Sequence, residues 1–188
     1  MPRLEDYNLR MLNEADLPIV LAWRNSERIR ANMYNDHVIT HEEHHAWFRR
    51  IDRDDSSRYQ VFEHRNRPVG LSYITDIDRI NGTCRWGFYL GETDLPSGGG
   101  TVMGYLAMNH AFKEEQLRRV SGEVLSFNQP SQRFFRRLGF TEEGRLRRHL
   151  LRNNEPVDII LFAMLKEEWI SEHSVRVREL VAAREVTA

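Results

Sequence analysis

A run of three glycines constrains the fold of this chain more than any other stretch, because it separates two segments of opposite type. The segment CRWGFYL before it (Cys84–Leu90) is predicted to be a strand, and a helix is predicted from Thr101 to about Glu115 after it. The glycines, Gly98–Gly100, therefore lie where a helix N-terminus exposes backbone N–H groups and attracts an anion. Without side chains, they would let a phosphate reach the backbone.

By itself the glycine run does not decide between a phosphate-binding loop and a flexible surface turn. No lysine follows it, so it is not the Walker type of phosphate loop. It also does not follow the first strand of a dinucleotide-binding βαβ unit. Other parts of the chain have to separate these two interpretations.

Periodicity and turn residues predict a single mixed α/β domain. Strands are predicted at Tyr7–Met11, Tyr59–Glu63, Val69–Asp76, Cys84–Leu90, Arg119–Leu125, Arg145–Arg152 and Val157–Leu165. Helices are predicted up to about Asn25, over Glu27–Met33, from about His41, over Thr101–Glu115, over Asn128–Phe140, and again from Lys166. The stretches HRNRP and NNEP are predicted turns.

Capping residues support three of these helix ends. Asn13 and Asp16 have the spacing of a helix start, and Thr40 is followed by Glu43 at capping-box spacing. Gly139 suits the C-terminus of the helix that precedes it.

Composition and charge limit the classes of protein that this chain can belong to. The chain has 188 residues, of which 40% are hydrophobic and 29% charged, as is ordinary for a globular domain. The net charge of −1 produces no global field that would attract nucleic acid or an acidic membrane. One cysteine, Cys84, excludes an internal disulfide, and neither a signal core nor a membrane-length apolar run occurs. We therefore expect a cytoplasmic protein, and a homodimer stays open.

The segment HEEHH satisfies the zinc-protease pattern H-E-x-x-H through His41, Glu42 and His45. Capping by Thr40 places His41 in the first helical turn, whereas zinc ligands of that kind lie well inside a helix. The later histidines have no companion spacing for a third ligand. We therefore expect no metal here, with one of His44 and His45 facing a cleft.

About thirty residues after the glycine run come Asn128, Ser131 and the segment FFRRLGF, and together these features resemble the GCN5-related N-acetyltransferase (GNAT) family. The loop LPSGGG keeps both glycines of the family's phosphate loop, with Leu95 at the usual Arg or Gln. The resemblance extends from about Tyr7 to Leu165.

This resemblance implies a GNAT fold, in which a twisted, mostly antiparallel sheet of about seven strands splays around the arm of acetyl-CoA and is flanked by helices. It implies one acetyltransferase domain over residues 1–168, with a helical extension over 169–188. The implied cofactor-binding residues are Phe88, Tyr89, Leu90, Gly98, Gly99, Gly100, Thr101, Asn128, Ser131 and Phe135. For Phe88 and Leu90, only the backbone is implied.

A closer similarity concerns the acceptor. The segment from Trp23 to Phe48 looks like the acetyltransferases of pseudaminic acid biosynthesis, which acetylate a nucleotide-linked (UDP-linked) 4-amino-deoxysugar. Arg24, Arg28 and Arg30 carry donors suited to a diphosphate, and Met33, Tyr34 and Trp47 could form an apolar, stacking wall. Two alternatives stay open: a protein N-terminal acetyltransferase of the ribosomal-protein type, and a non-catalytic acyl-CoA-binding module.

Glu123 is the candidate general base, because it is an acid in the middle of the apolar strand VSGEVL. An ion pair with a nearby arginine is the alternative explanation of its position. The family's usual general acid is a tyrosine in the helix after Asn128, and the matching residue here is Phe135, which has no proton to give. Either Tyr89 supplies that proton, or the thiolate leaves and is protonated by water.

Overall fold

A computed structural model of the protein describes residues 3–183. Seven helices lie at Leu17–Asn25 (α1), Glu27–Arg30 (α2), His41–Ile51 (α3), Gly99–Asn109 (α4), Gln129–Leu138 (α5), Lys166–Glu168 (α6) and Ser174–Ala183 (α7). Seven strands lie at Tyr7–Met11 (β1), Arg58–His64 (β2), Arg67–Asp78 (β3), Thr83–Leu90 (β4), Arg119–Leu125 (β5), Thr141–Arg152 (β6) and Glu155–Leu165 (β7). Short 3₁₀ turns precede β1 and α1, and π turns follow α4 and α6.

The strands form one seven-stranded sheet in the order β1-β2-β3-β4-β5-β7-β6. Every neighbouring pair is antiparallel except β4 and β5, which are parallel. This arrangement confirms the predicted mixed α/β fold and its mostly antiparallel sheet. The parallel strands β4 and β5 can separate from each other at one end while β4 stays paired with β3 and β5 stays paired with β7.

Local sequence rules account for most element ends. Asn13 and Thr40 each form a capping box with the residue three positions later, as predicted. Gly139 ends α5 in the left-handed conformation at φ 102°, which favours glycine. Both two-residue turns, at residues 65–66 and 153–154, have positive φ at both positions, as the tightest hairpins require.

The largest differences from the predicted element ends are in β6, α2 and α4, whereas the other ends agree or shift by one or two residues. Strand β6 begins at Thr141 rather than Arg145, because it is an exposed edge strand whose first residues carry no apolar alternation. Helix α2 ends at Arg30 rather than Met33. The side chains of Arg30 and Arg152 donate hydrogen bonds to the Asp36 and Met33 carbonyls, which fixes the chain there in a non-helical conformation. Helix α4 begins at Gly99, and its last turn, His110–Glu114, is a π turn.

Apolar residues cover both faces of the sheet. On one face, Trp86 and Phe162 pack with Phe134 and Leu138 of α5 and with residues of α4. On the other face, Val20 and Trp23 of α1 pack with Val61, Leu71 and Tyr89.

The C-terminal helical segment joins the first of these faces. Trp169 and Val177 are fully buried there. Of the predicted extension over 169–188, residues 184–188 lie outside the described part of the chain.

Candidate active site

The sheet opens between its two parallel strands. Pairing of β4 with β5 runs from Thr83 and Arg119 to Arg85 and Ser121 and goes no further, although both strands continue. The edge of β4 that faces β5 is therefore unpaired from Trp86 onward, as an opening around a cofactor arm requires. A cavity of about 870 Å³ occupies this region.

The cavity brings together most of the predicted site residues. It is lined by Met33, Tyr34, Phe88, Tyr89, Leu90, Gly98, Gly100, Thr101, Glu123, Asn128, Ser131 and Phe135. Gly99, Arg24, Arg30 and Trp47 are not among its lining residues. The helix-facing side of the cavity, from the glycine loop to α5, is called the cofactor side here, and the side under α1–α3 is called the acceptor side.

On the cofactor side, the three glycines have three different surroundings. Gly98 precedes α4 at φ 99°, a conformation that L side chains rarely adopt, and its carbonyl accepts from the Thr101 and Val102 backbone N–H groups. A side chain at Gly99 would collide with Leu95 in the core, at 2.6 Å. At Gly100 a side chain would point toward the cavity-lining residues Leu90 and Phe134, where it has room.

These features fit the diphosphate and arm of acetyl-CoA. Gly98 and Gly100, at the N-terminus of α4, line the cavity, and their backbone N–H groups have no hydrogen-bond partner among the described residues. The Thr101 side chain is buried in the same turn. The Asn128 side-chain oxygen accepts from the Ser131 backbone N–H at 3.2 Å and so caps α5. Its amide nitrogen has no hydrogen-bond partner among the described residues, which leaves a donor for a ligand in the cavity that Asn128 lines.

Phe135 belongs to an aromatic cluster below the opening. Its ring stacks on Phe162 at 5.2 Å and lies edge-on to Trp86 and Phe140. Gly122 on β5 makes room for this ring, because a Cβ there would lie 2.4 Å from it. Phe135 therefore borders the cofactor side as an apolar wall, without a proton to donate.

Glu123 faces the opposite way, because side chains alternate along β5. The Tyr34 hydroxyl donates a short hydrogen bond to its Oε2 atom, and Arg85 Nη1 lies 3.5 Å from the same oxygen. Arg85 in turn pairs with Asp76 at 3.1 Å. The Glu123 side chain is 22% exposed, so it is held by partners yet reachable from the cavity.

Tyr89 lies on the acceptor side with Arg85 and Gly87, whereas Trp86 and Phe88 face the helices α4 and α5. It is only 8% exposed, and burial raises its pKa well above the ordinary range of tyrosine. A raised pKa makes the hydroxyl a weaker acid, and Tyr89 is across the sheet from Phe135. Proton donation by Tyr89 stays a prediction.

A second, smaller cavity of about 270 Å³ adjoins the first under α1 and α3. Met33, Tyr59, Tyr73 and Tyr89 line both cavities. The smaller one is further lined by polar and aromatic side chains and by three aliphatic residues: Arg24, His37, Glu43, His44, Trp47, Val20, Ile39 and Leu71. Its walls thus combine aromatic rings with a few polar groups, which is typical of small-molecule sites.

Two buried polar atoms at this smaller cavity lack hydrogen-bond partners among the described residues: Arg24 Nη1 and His44 Nε2. Burial lowers the pKa of both side chains. His44 is 4% exposed and stacks on Trp47 at 4.9 Å. Buried donors without acceptors are costly, so a ligand atom at this position would stabilise them.

The three predicted diphosphate-binding arginines have different positions. Arg28 lines the larger cavity but donates to the carbonyls of Leu90 and Gly91, at 3.0 and 2.7 Å. Arg30 donates to the Asp36 carbonyl at 2.6 Å and is not among the residues lining either cavity. Arg24 alone of the three borders the smaller cavity.

The HEEHH segment forms the start of α3. His41 and His45 are exposed, whereas His44 turns inward to the smaller cavity. The prediction that one of His44 and His45 faces a cleft is thereby confirmed for His44. Within residues 3–183, no group of three or more metal-ligating side chains lies close enough to hold a metal ion.

Sequence reasoning did not find Arg85, Tyr59 or Tyr73. Arg85 is two residues from Gly87 on the same face of β4, and period-2 alternation backward from Tyr89 could have indicated it. Tyr73 lies over Gly87, where a Cβ would meet its ring at 2.3 Å. That contact joins two strands and leaves no local pattern in the sequence.

Comparisons with known proteins agree with this geometry. A family model described as an acetyltransferase (GNAT) domain matches residues 7–141. The chain is 33% identical over 129 residues to the SPbeta prophage-derived uncharacterized N-acetyltransferase YokL of Bacillus subtilis, an alignment that covers 68% of this chain and 72% of that protein. It is 22% identical over 173 residues to the spermidine N(1)-acetyltransferase of Escherichia coli K12, covering 92% and 93%.

Among solved structures, a spermidine N-acetyltransferase of Vibrio cholerae in complex with CoA and spermine superposes with a TM-score of 0.84. The match covers 89% of this chain and 99% of that one at 18% sequence identity, and it concerns the fold. None of the helices within residues 3–183 has the length and apolar character needed to cross a membrane.

Proposed function

We propose that this chain, which belongs to the GNAT family of acetyltransferases, acetylates the amine of an acceptor that also carries negative charge, of the kind found in a nucleotide-linked amino-deoxysugar. The general activity is N-acetyl transfer with acetyl-CoA as the donor. The nature of the acceptor is the part that we propose. A cytoplasmic location and a homodimeric state belong to the same proposal.

The general activity follows from how the two sides meet. Acetyl-CoA, when bound, supplies an acetyl group as a thioester. The α4 N-terminus stabilises phosphate charge, and the unpaired edge of β4 offers backbone N–H groups to a carbonyl oxygen that becomes negative. Glu123 lies on the acceptor side of the same opening, where it can take a proton from an incoming amine.

The charge of the acceptor side is the observation that carries the proposal. Arg28 and Arg85 line the larger cavity there, and Arg24 borders the smaller one. Two carboxylates line these cavities, Glu123 in the larger one, where it pairs with Arg85, and Glu43 in the smaller one. The three arginines outnumber them, so a polyamine, whose amines are cationic at neutral pH, would meet a net like charge here, whereas a phosphate-bearing acceptor would be attracted.

The smaller cavity supports a place for the remote part of such an acceptor. Its aromatic walls suit stacking on a sugar or base, and Arg24 Nη1 and His44 Nε2 offer unused polar atoms. An acceptor spanning both cavities would pass the rings of Tyr73 and Tyr89 with its amine near Glu123. Binding energy from this remote part would help to position the amine.

The test is turnover with four acceptors: a UDP-linked 4-amino-deoxysugar, the corresponding free amino sugar, spermidine, and a basic peptide with a free N-terminus. Release of free thiol from acetyl-CoA is measured for each. We expect the nucleotide-linked sugar to have the highest kcat/KM. The free sugar should have a lower kcat/KM, mainly because its KM is higher. A higher kcat/KM for spermidine or for the peptide would contradict the proposed acceptor. If none of the four acceptors leads to thiol release, the result would favour a non-catalytic acyl-CoA-binding module.

A further inference from the structure

We propose that Tyr34 and Arg85 are positioning residues that hold Glu123 by its Oε2 atom, so that the other carboxylate oxygen, Oε1, receives the proton of the acceptor amine. This inference rests on the proposed role of Glu123 as general base. It assigns to Tyr34 a polar task in addition to its expected contact with the acceptor, and it gives Arg85 a role that the sequence did not indicate.

The two carboxylate oxygens of Glu123 have different surroundings. Tyr34 donates to Oε2, and Arg85 Nη1 approaches the same atom at 3.5 Å. Among the described residues, Oε1 has no hydrogen-bond or ion-pair partner. A carboxylate on a flexible side chain samples several orientations. Two contacts on one of its oxygens restrict the carboxylate to a single orientation.

Both holding groups are themselves fixed. On the β4 side, Arg85 is bridged to Asp76 on β3 at 3.1 Å. On the other side, burial and the hydrogen bond to Glu123 raise the pKa of Tyr34 above its ordinary value, so the hydroxyl stays protonated as a donor. Leu161, the residue paired with Glu123 on β7, carries no titratable group.

The loop that carries Tyr34 is tied down by arginines from three elements. Arg24 of α1 donates to the Asn35 carbonyl, and Arg30 of α2 donates to the Asp36 carbonyl. Arg152 at the end of β6 donates to the Met33 carbonyl and pairs with the Asp36 carboxylate at 2.7 Å. The loop therefore holds Tyr34 over Glu123 through side-chain contacts, without joining the sheet.

The proton balance is simple. The amine gives one proton to Oε1 as its nitrogen forms the new bond to the acetyl carbon, and the carbon–sulfur bond of the thioester breaks. Glu123 is then a neutral acid that returns the proton to the leaving thiolate or to water. Oε2 keeps its two partners throughout, so the side chain does not have to reorient between turnovers.

The experiment compares Tyr34→Phe, Arg85→Met and Arg85→Lys with the parent enzyme, using the acceptor with the highest turnover. The measured quantities are kcat, the KM for acetyl-CoA, the KM for the acceptor, and the thermal midpoint. We expect kcat to fall about tenfold in Tyr34→Phe, as loss of one hydrogen bond to a charged group implies, with an unchanged KM for acetyl-CoA. Tyr105→Phe, on α4 against Trp169, is the matched control and should leave all four quantities unchanged.

The split between kcat and KM separates positioning from a loss of packing. Tyr34→Phe and Arg85→Met should each lower kcat at an unchanged KM for acetyl-CoA, because the base is misoriented while the cofactor side is untouched. Arg85→Lys keeps the charge beside Oε2 and should retain more of kcat than Arg85→Met. A merely structural role would lower the thermal midpoint without this difference in kcat.

A double-mutant comparison distinguishes failure of this inference from failure of the proposed base. In a Glu123→Gln background, Tyr34→Phe should cost no further turnover, because there is no proton acceptor left to orient. An equal loss in both backgrounds, or a parent-like kcat in Tyr34→Phe, would overturn the positioning role. Parent-like turnover of Glu123→Gln itself would instead overturn the base.

Discussion

The cofactor side and the acceptor side of the cavity are built by different means. On the cofactor side, backbone geometry predominates: a left-handed Gly98, the first turn of α4, the unpaired edge of β4 and the Asn128 cap. On the acceptor side, side chains from distant parts of the chain meet, as in the contact of Tyr34 with Glu123, 89 positions apart, and of Arg152 with Met33, 119 apart.

This difference explains why the two sides differ in what they recognise. A backbone cradle binds the constant phosphates and arm of a cofactor and depends on few side-chain identities. A pocket made of side chains can change its acceptor through single substitutions while the fold stays the same. We therefore expect mutations on the two sides to affect different kinetic constants. Three predictions test this, and a fourth concerns the stability of α1, which covers the acceptor side.

The largest effect is expected for Glu123→Gln on the acceptor side. Glutamine keeps the size but cannot accept the amine proton, so turnover should fall by about a hundredfold or more, since positioned bases contribute roughly 10²–10⁴-fold. Acetyl-CoA affinity should barely change, and the loss should shrink at high pH, where more acceptor amine is neutral. Steady-state kinetics over a pH range and calorimetric titration of acetyl-CoA measure both, with Glu155→Gln on the exposed start of β7 as control.

The second effect is expected on the cofactor side, for Gly100→Val. The added side chain would point toward Leu90 and Phe134 and obstruct the approach of the cofactor, so acetyl-CoA affinity should fall at least about tenfold. Gly144→Val on β6, where a Cβ also has room, is the matched control. Equal cofactor affinity in the two variants would mean that the loop is only a turn. Gly98→Val is less informative, because its φ of 99° would strain the folded state as well.

A third, smaller effect should separate Arg24 from Arg30. Both hold one carbonyl of the loop that carries Tyr34, but only Arg24 borders the smaller cavity. Arg24→Met should therefore raise the KM for a phosphate-bearing acceptor by about tenfold relative to Arg30→Met, with little change in acetyl-CoA affinity. If both variants raise that KM equally, the loop and not the cavity would be responsible.

The smallest effect concerns acid stability of the acceptor side. Asp16, at the start of α1, is bonded to Arg10, which also pairs with Glu63. Burial raises its pKa, but the hydrogen bonds from Arg10 and the Asn13 backbone outweigh burial and leave the pKa below its ordinary value. A lowered folded-state pKa stabilises the fold above the unfolded pKa, and this contribution is lost as pH falls through the folded value.

The free energy of unfolding of Asp16→Asn should therefore lie below that of the parent at neutral pH, and the gap should narrow below about pH 4. Denaturant titrations at several pH values measure this gap. A constant gap down to pH 3 would mean that the charge of Asp16 is not what fastens α1 to the sheet.

Local features of the fold could be predicted from the sequence because they depend on neighbours along the chain. The capping boxes at Asn13 and Thr40, the glycine C-terminus at Gly139 and both hairpin turns have the predicted positions. The start of β6 was predicted at Arg145 instead of Thr141, because an exposed edge strand needs no apolar alternation. In the site, Glu123 was identifiable as an acid in an apolar strand, whereas Arg85 could have been found only by counting back from Tyr89 along β4 with the two-residue period of a strand.

By itself, the sequence determined the strand–glycine loop–helix unit, the Asn128 helix and the order of the elements, because helix caps, tight turns and alternating strands are short-range effects. Only the tertiary structure decided what each polar group does. It turned Gly99 toward the core and Gly100 toward the cavity, committed Arg30 to a loop carbonyl, and left Arg24 with an unused donor. These outcomes depend on contacts between residues far apart in the chain, and such contacts leave no periodicity in the sequence.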